Sequence, residues 1–209
     1  MAKLRSGILG QVSGKVSGVV GGTWKDKNYV REYVIPANPN TAGQQTQRGL
    51  FANCVDFAKL CVGPIFNIYT DKFIKDMSGY NFFIKRNISL FTTQDPTLSV
   101  KVTEGKLFKP QALTLAGVAN TDQTTITWST AKGNNGADTD AVYGLVWNVT
   151  QHLITFFPTE YPRLVGTCTI TSPQALNDIL RGFIFAAKKT GSVIDMISDS
   201  TSVQGASGL

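Results

Sequence analysis

Between residues 111 and 198 one pattern recurs: short runs rich in β-branched and aromatic residues, each closed by turn-forming residues. The runs are 111–118, Thr124–Thr130 (TTITWST), Ala141–Trp147 (AVYGLVW), Leu153–Phe157 (LITFF), Val165–Thr171 (VGTCTIT), Leu180–Ala187 (LRGFIFAA) and Ser192–Ser198 (SVIDMIS). Short strands at this spacing predict an immunoglobulin-like or fibronectin-like β-sandwich. Trp128 alternates with Ile126, which places both on an inward face. No cysteine pair matches the antibody pattern, so the architecture is expected without the antibody family. The closing residues 203–209 are small and polar and are expected to form a flexible tail.

The first ninety residues differ. Val16–Trp24 and Tyr29–Ile35 are β-rich and flank the turn Lys25-Asp26-Lys27-Asn28, which predicts a hairpin; Pro36 and the following Ala-Asn-Pro-Asn end it. Thr41 with Gln44 has capping-box spacing, and Leu50, Cys54, Phe57, Ala58 and Cys61 then form one apolar helical stripe. Gly63-Pro64 is expected to stop that helix. Ile65, Ile68, Tyr69 and Phe73 give a second stripe, and a third, shorter helix starts at Tyr80. The expected fold class is therefore α+β: an N-terminal β-hairpin with a small helical cluster, followed by an all-β sandwich. The expected divisions are 1–94, 95–202 and the tail 203–209.

Within the hairpin region, Gly10, Gly14, Gly18 and Gly22 are spaced by four. A phosphate loop would need GxxxxGK[ST]; here Gly10 is one residue too near Gly14-Lys15, and Val16 replaces the hydroxyl residue. A membrane GxxxG helix would need an apolar surround, and glycines this dense cost a soluble helix about 1 kcal/mol each. In one extended strand all four would share a bare face, a candidate assembly surface leading to Trp24. The rival reading is a flexible arm that orders only on assembly.

The 209-residue chain carries a formal charge of +6, with 20 Lys and Arg against 14 Asp and Glu. Most of the excess lies in the first ninety residues, where Lys15, Lys25, Lys27 and Arg31 mix with aromatic residues as a candidate polyanion contact. The single histidine, His152, has no acid at a telling spacing and is read as structural. Asn134, Asn135, Asp138 and Asp140 crowd one loop but lack EF-hand spacing. Cys54 and Cys61 are seven apart on the expected helix, roughly 10 Å and too far for a disulfide, and with Cys168 are expected to be buried and reduced. No catalytic residue, metal site or cofactor is expected. Lys15 and two serines interrupt the N-terminal apolar run, so no cleaved signal peptide and no membrane span is expected.

The stretches ILGQVSGKVSGVVGGTWKDKNYVRE, NPNTAGQQTQRGLF and MSGYNFFIKRN resemble an uncharacterised Bacteroidota family of about this length, whose members start with an ILGGFSGKVG-like stretch and end in a β-sandwich. The middle segment also resembles a short module of phage-associated proteins, with Pro39, Thr41, Gln44 or Gln45, Arg48, Gly79, Asn81 and Phe83 at the matching positions. These positions are read as a helix start, a cap and a packing turn. The function expected is a non-enzymatic structural protein of a virion or phage-derived particle, made in the cytoplasm and associating with itself or with capsid proteins. The alternatives are a nucleic-acid-binding module using the basic N-terminal half, and an extracellular adhesive protein.

Overall fold

The structure is a computed structural model and describes residues 3–4, 12–25, 27–66, 74, 76–118 and 121–208. Gly10 and the stripe residues Ile68, Tyr69 and Phe73 lie outside the described residues. The chain divides into two compact units, Met1–Thr41 and Ala42–Leu209.

The first unit is an antiparallel meander of β1 (Lys3–Leu4), β2 (Val12–Val16), β3 (Val19–Trp24) and β4 (Lys27–Glu32), in that spatial order. The expected single strand 16–24 is broken by a two-residue turn, Ser17-Gly18, with Val16 paired to Val19 and Ser17 at φ 50°. A Ser-Gly pair favours a turn, and here it folds the glycine-dotted segment back on itself. The next turn is also tighter than expected: Trp24 pairs with Lys27, so Lys27 and Asn28 belong to β4.

The second unit holds the sandwich. One sheet consists of β5 (Thr114–Val118), β6 (Gln123–Thr127) and β10 (Thr167–Thr171), ordered β10-β6-β5. The other runs β13 (Thr201–Gly208), β11 (Ile179–Thr190), β7 (Ala141–Asn148) and β8 (Leu153–Phe156). Two shorter strands, β9 (Tyr161–Pro162) and β12 (Val193–Ile197), pair with β7 and β11. Leu115, Ile126, Trp128, Cys168 and Ile170 of the first sheet side meet Val142, Val146, Leu180 and Ile184 of the second in one core. The Trp128 indole donates to the Arg163 carbonyl at 3.0 Å, which lets a tryptophan sit in this core.

The residues 203–209, expected to be a flexible tail, instead belong largely to β13. Thr201–Ala206 pair with β11, and Ser207 and Gly208 then pair in parallel with Gly117 and Val118 of β5, so this strand joins the two sheets at their shared edge. Small residues suit that position: a Cβ on Gly205 would collide with the Leu115 carbonyl.

The helices form a third layer. α1 (Ala42–Cys61) continues past Pro64 as a π-helical turn, Val62–Phe66, rather than stopping at Gly63. Pro64 has no N–H to donate and in an α-helix its ring would crowd the Leu60 carbonyl, a clash that a wider turn relieves. α2 (Gly79–Asn87) is capped by Ser78, whose hydroxyl accepts from the Asn81 N–H at 3.3 Å. Cys54, Phe57, Ala58 and Cys61 of α1, with Phe66, Phe83 and Phe91, pack onto Leu145, Trp147, Phe183 and Phe185. The sheet β11-β7 is thus covered on both faces, and the expected boundary at 94/95 falls inside a continuous core. The compact-unit boundary lies at Thr41/Ala42. Helix Ala42–Phe66 has the length and apolarity of a membrane span; its Cys54–Phe57–Ala58–Cys61 stripe is in the protein core.

All three cysteines are free and buried. Burial pushes the Cys54 thiol up to about 11 and the Cys61 thiol higher still, which makes both poor nucleophiles.

Candidate interaction surface

The cross-strand register of the N-terminal sheet sorts its side chains onto two faces, because directly opposed residues in an antiparallel pair point the same way. On one face stand Gly14, Gly21 and Val30, aligned across β2, β3 and β4, beside the aligned set Val16, Val19 and Glu32. On the other stand Lys15 opposite Val20 and Arg31, Gly22 opposite Tyr29, and Trp24 opposite Lys27.

The glycines therefore do not line one strand face as expected. Gly14 lies on β2, Gly18 in the turn and Gly22 on β3, on the opposite face from Gly14. Gly22 has a partner within the sheet: a Cβ there would lie 2.8 Å from the Tyr29 hydroxyl oxygen and 2.9 Å from Cζ. Its bareness makes room for the cross-strand tyrosine. Gly14 and Gly21 oppose each other on the other face, where Gly21 is buried and Gly14 half-buried.

The candidate cations are brought together. Lys15, Lys27 and Arg31 share the Trp24 face, and Lys25 stands in the adjoining turn at φ 47°. The Lys15 ammonium sits 3.5 Å from the Tyr33 ring centroid, and that of Lys25 is 5.9 Å from Trp24. Tyr33, whose N–H donates to the Gly18 carbonyl at 2.8 Å, extends this face beyond β4. Among the described residues of the sheet, the carboxylate is that of Glu32, on the opposite face. Trp24 is 69% exposed.

In the second unit, polar clusters serve the fold. His152 does meet an acid, one distant in sequence: its Nδ1 is 3.0 Å from Asp95 Oδ1, which also accepts the Trp147 indole N–H at 2.9 Å. This holds the β7–β8 turn, where His152 has φ 54°. The crowded loop uses its own oxygens. Asn135 accepts from the Phe108 N–H and Asp138 pairs with Lys132 at 2.7 Å. Asp140 faces the fully buried Arg163 at 3.5 Å, while that guanidinium donates to the Ala131 and Phe108 carbonyls. Among the described residues no group of three or more His, Cys, Asp or Glu could hold a metal ion. Tyr143, Glu160 and Lys189 form a hydrogen-bonded cluster at the edge of β7 and β11. Burial, then Glu160, pushes the Tyr143 hydroxyl up to about 12.

Strand order and two-sheet packing define an immunoglobulin/fibronectin-like sandwich, with a helical layer on one sheet and an N-terminal β-meander. The chain belongs to DUF6266, a family of unknown function, whose sequence profile matches residues 11–193. No curated protein matches it. The solution structure of the fn3 domain of human contactin 1 is similar over 51% of this chain and 82% of that one, at 5% identity and a TM-score of 0.31.

Proposed function

We propose that the protein is a non-enzymatic assembly component that associates with copies of itself through the valine face of its N-terminal sheet. The observation that supports this reading is the exposure of the valines on that face: Val16 is 48%, Val19 42% and Val30 63% exposed. Exposed valines in a short four-stranded sheet are a liability unless something covers them. A second copy of the same face offers matching valines, and Glu32 at its border leaves the centre uncharged. In this role the protein is a virion or phage-derived particle component synthesised in the cytoplasm, in keeping with the resemblance of the stretches 38–51 and 79–87 to a phage-associated module.

Light scattering behind size exclusion tests the reading. The full chain is expected to elute as an oligomer, and the double variant Val19→Glu, Val30→Glu as a monomer with unchanged circular dichroism. A wild-type chain that stays monomeric at high concentration would sink it.

A further inference from the structure

We infer that the opposite face of the N-terminal sheet binds single-stranded nucleic acid. Strand β4 and its extension alternate cation and ring on this face, Lys27, Tyr29, Arg31 and Tyr33. At two residues per repeat, neighbours stand about 7 Å apart along the strand. Beside them lie Trp24 opposite Lys27, and Lys15 over Tyr33. The face thus combines three cations with three rings, and Lys25 adds a fourth cation in the turn.

The charge selects a polyanion, since no carboxylate among the described residues of the sheet shares this face. The rings select within that class. Unpaired bases can stack on Trp24 and Tyr29, whereas the bases of a duplex are already stacked and the side chains of an acidic protein offer no π-face. Tyr29 lies down over Gly22, and Trp24 stands mostly in solvent. Both are therefore available without rearranging a core. The inference does not depend on self-association, which uses the other face.

Fluorescence anisotropy with a labelled oligothymidylate and the full chain tests it. Binding is expected to weaken with salt, by a slope of about −0.7 in log K against log salt for each phosphate engaged. Lys27→Gln with Arg31→Gln is expected to weaken binding about tenfold or more and to flatten that slope by about 1.4. Trp24→Ala is expected to weaken binding about fivefold or more while leaving the slope unchanged. All three positions are exposed, and unchanged thermal unfolding certifies the variants as folded. Val30→Glu, on the other face, is expected to retain binding even where it abolishes self-association. Equal competition by a DNA duplex or by polyglutamate, or full affinity in Trp24→Ala, would overturn the inference.

Discussion

The ring of Phe57 on α1 meets the ring of Trp147 on β7 edge-on, with centroids 5.3 Å apart. Phe83 and Phe91 close around the same phenyl ring at 5.8 and 5.6 Å. The contact joins helix to sandwich in one core, so the two are expected to unfold together. Phe57→Ala would leave a cavity between the layers and cost about 3–5 kcal/mol. Urea titrations followed by far-UV circular dichroism and by tryptophan fluorescence are expected to shift together; separate transitions would show that the helices fold independently.

Strand β13 makes a second demand on the core. Gly205 lies where the Leu115 backbone crosses, and an added methyl group would meet that carbonyl rather than a side chain that could turn away. Gly205→Ala is accordingly expected to cost about 1–3 kcal/mol, the usual range for overpacking. Removing residues 203–209 would strip the ladder from Ile179–Gly182 and from Gly117–Val118. That truncated chain is expected to lose several degrees of melting temperature, measured by calorimetry, whereas a fraying tail would be dispensable.

Why β13 escapes a sequence reading follows from those same residues. Thr-Ser-Val-Gln-Gly-Ala-Ser-Gly has almost no apolar alternation, because its fit depends on smallness where two sheets converge. The seven apolar runs, by contrast, each coincide with a strand, and Ile126 and Trp128 both point inward as their alternation implies. The shared core had a signal too. AVYGLVW lacks alternation, which is the mark of a strand buried on both faces, and β7 is buried along nearly its whole length. Ser17-Gly18 is likewise a turn pair hidden inside a run of valines. The partition of Lys15, Lys27 and Arg31 from Val16, Val19 and Val30 depends on register, which only the folded meander fixes.

Acid should act on the sandwich through Asp178. Its buried carboxylate accepts from Asn148 Nδ2 at 2.8 Å, Gln151 Nε2 at 2.6 Å and the Ala175 N–H at 2.7 Å. Burial alone would raise its pKa, but these donors outweigh burial and hold it below the usual carboxylate range. A folded-state pKa below the unfolded value contributes stability above the unfolded pKa, about 3.9, and loses it as pH falls through the folded value. Asp178→Asn would point an amide at donors and cost about 1–3 kcal/mol at neutral pH. The gap between wild type and variant is expected to hold from pH 7 to 5 and to narrow below about pH 4. Urea titrations across that range check it, and a gap independent of pH would exclude the carboxylate as the source.

At the N-terminal sheet, Gly22 and Tyr29 give a test that needs no partner. The tyrosine ring lies over the glycine, so ring current is expected to move the Gly22 Hα resonances upfield, and Tyr29→Leu to return them. Gly22→Val would put a branched side chain where the hydroxyl end of the ring now sits. Because that end belongs to a movable side chain, the substitution is expected to swing Tyr29 aside rather than unfold the sheet, at a cost near 1 kcal/mol or less. The prediction is therefore a displaced ring with the β3–β4 amide pairing intact, read from proton–proton contacts across Gly22–Tyr29 and Thr23–Asn28. Loss of those cross-strand contacts would mean that glycine is needed for the strand pairing itself.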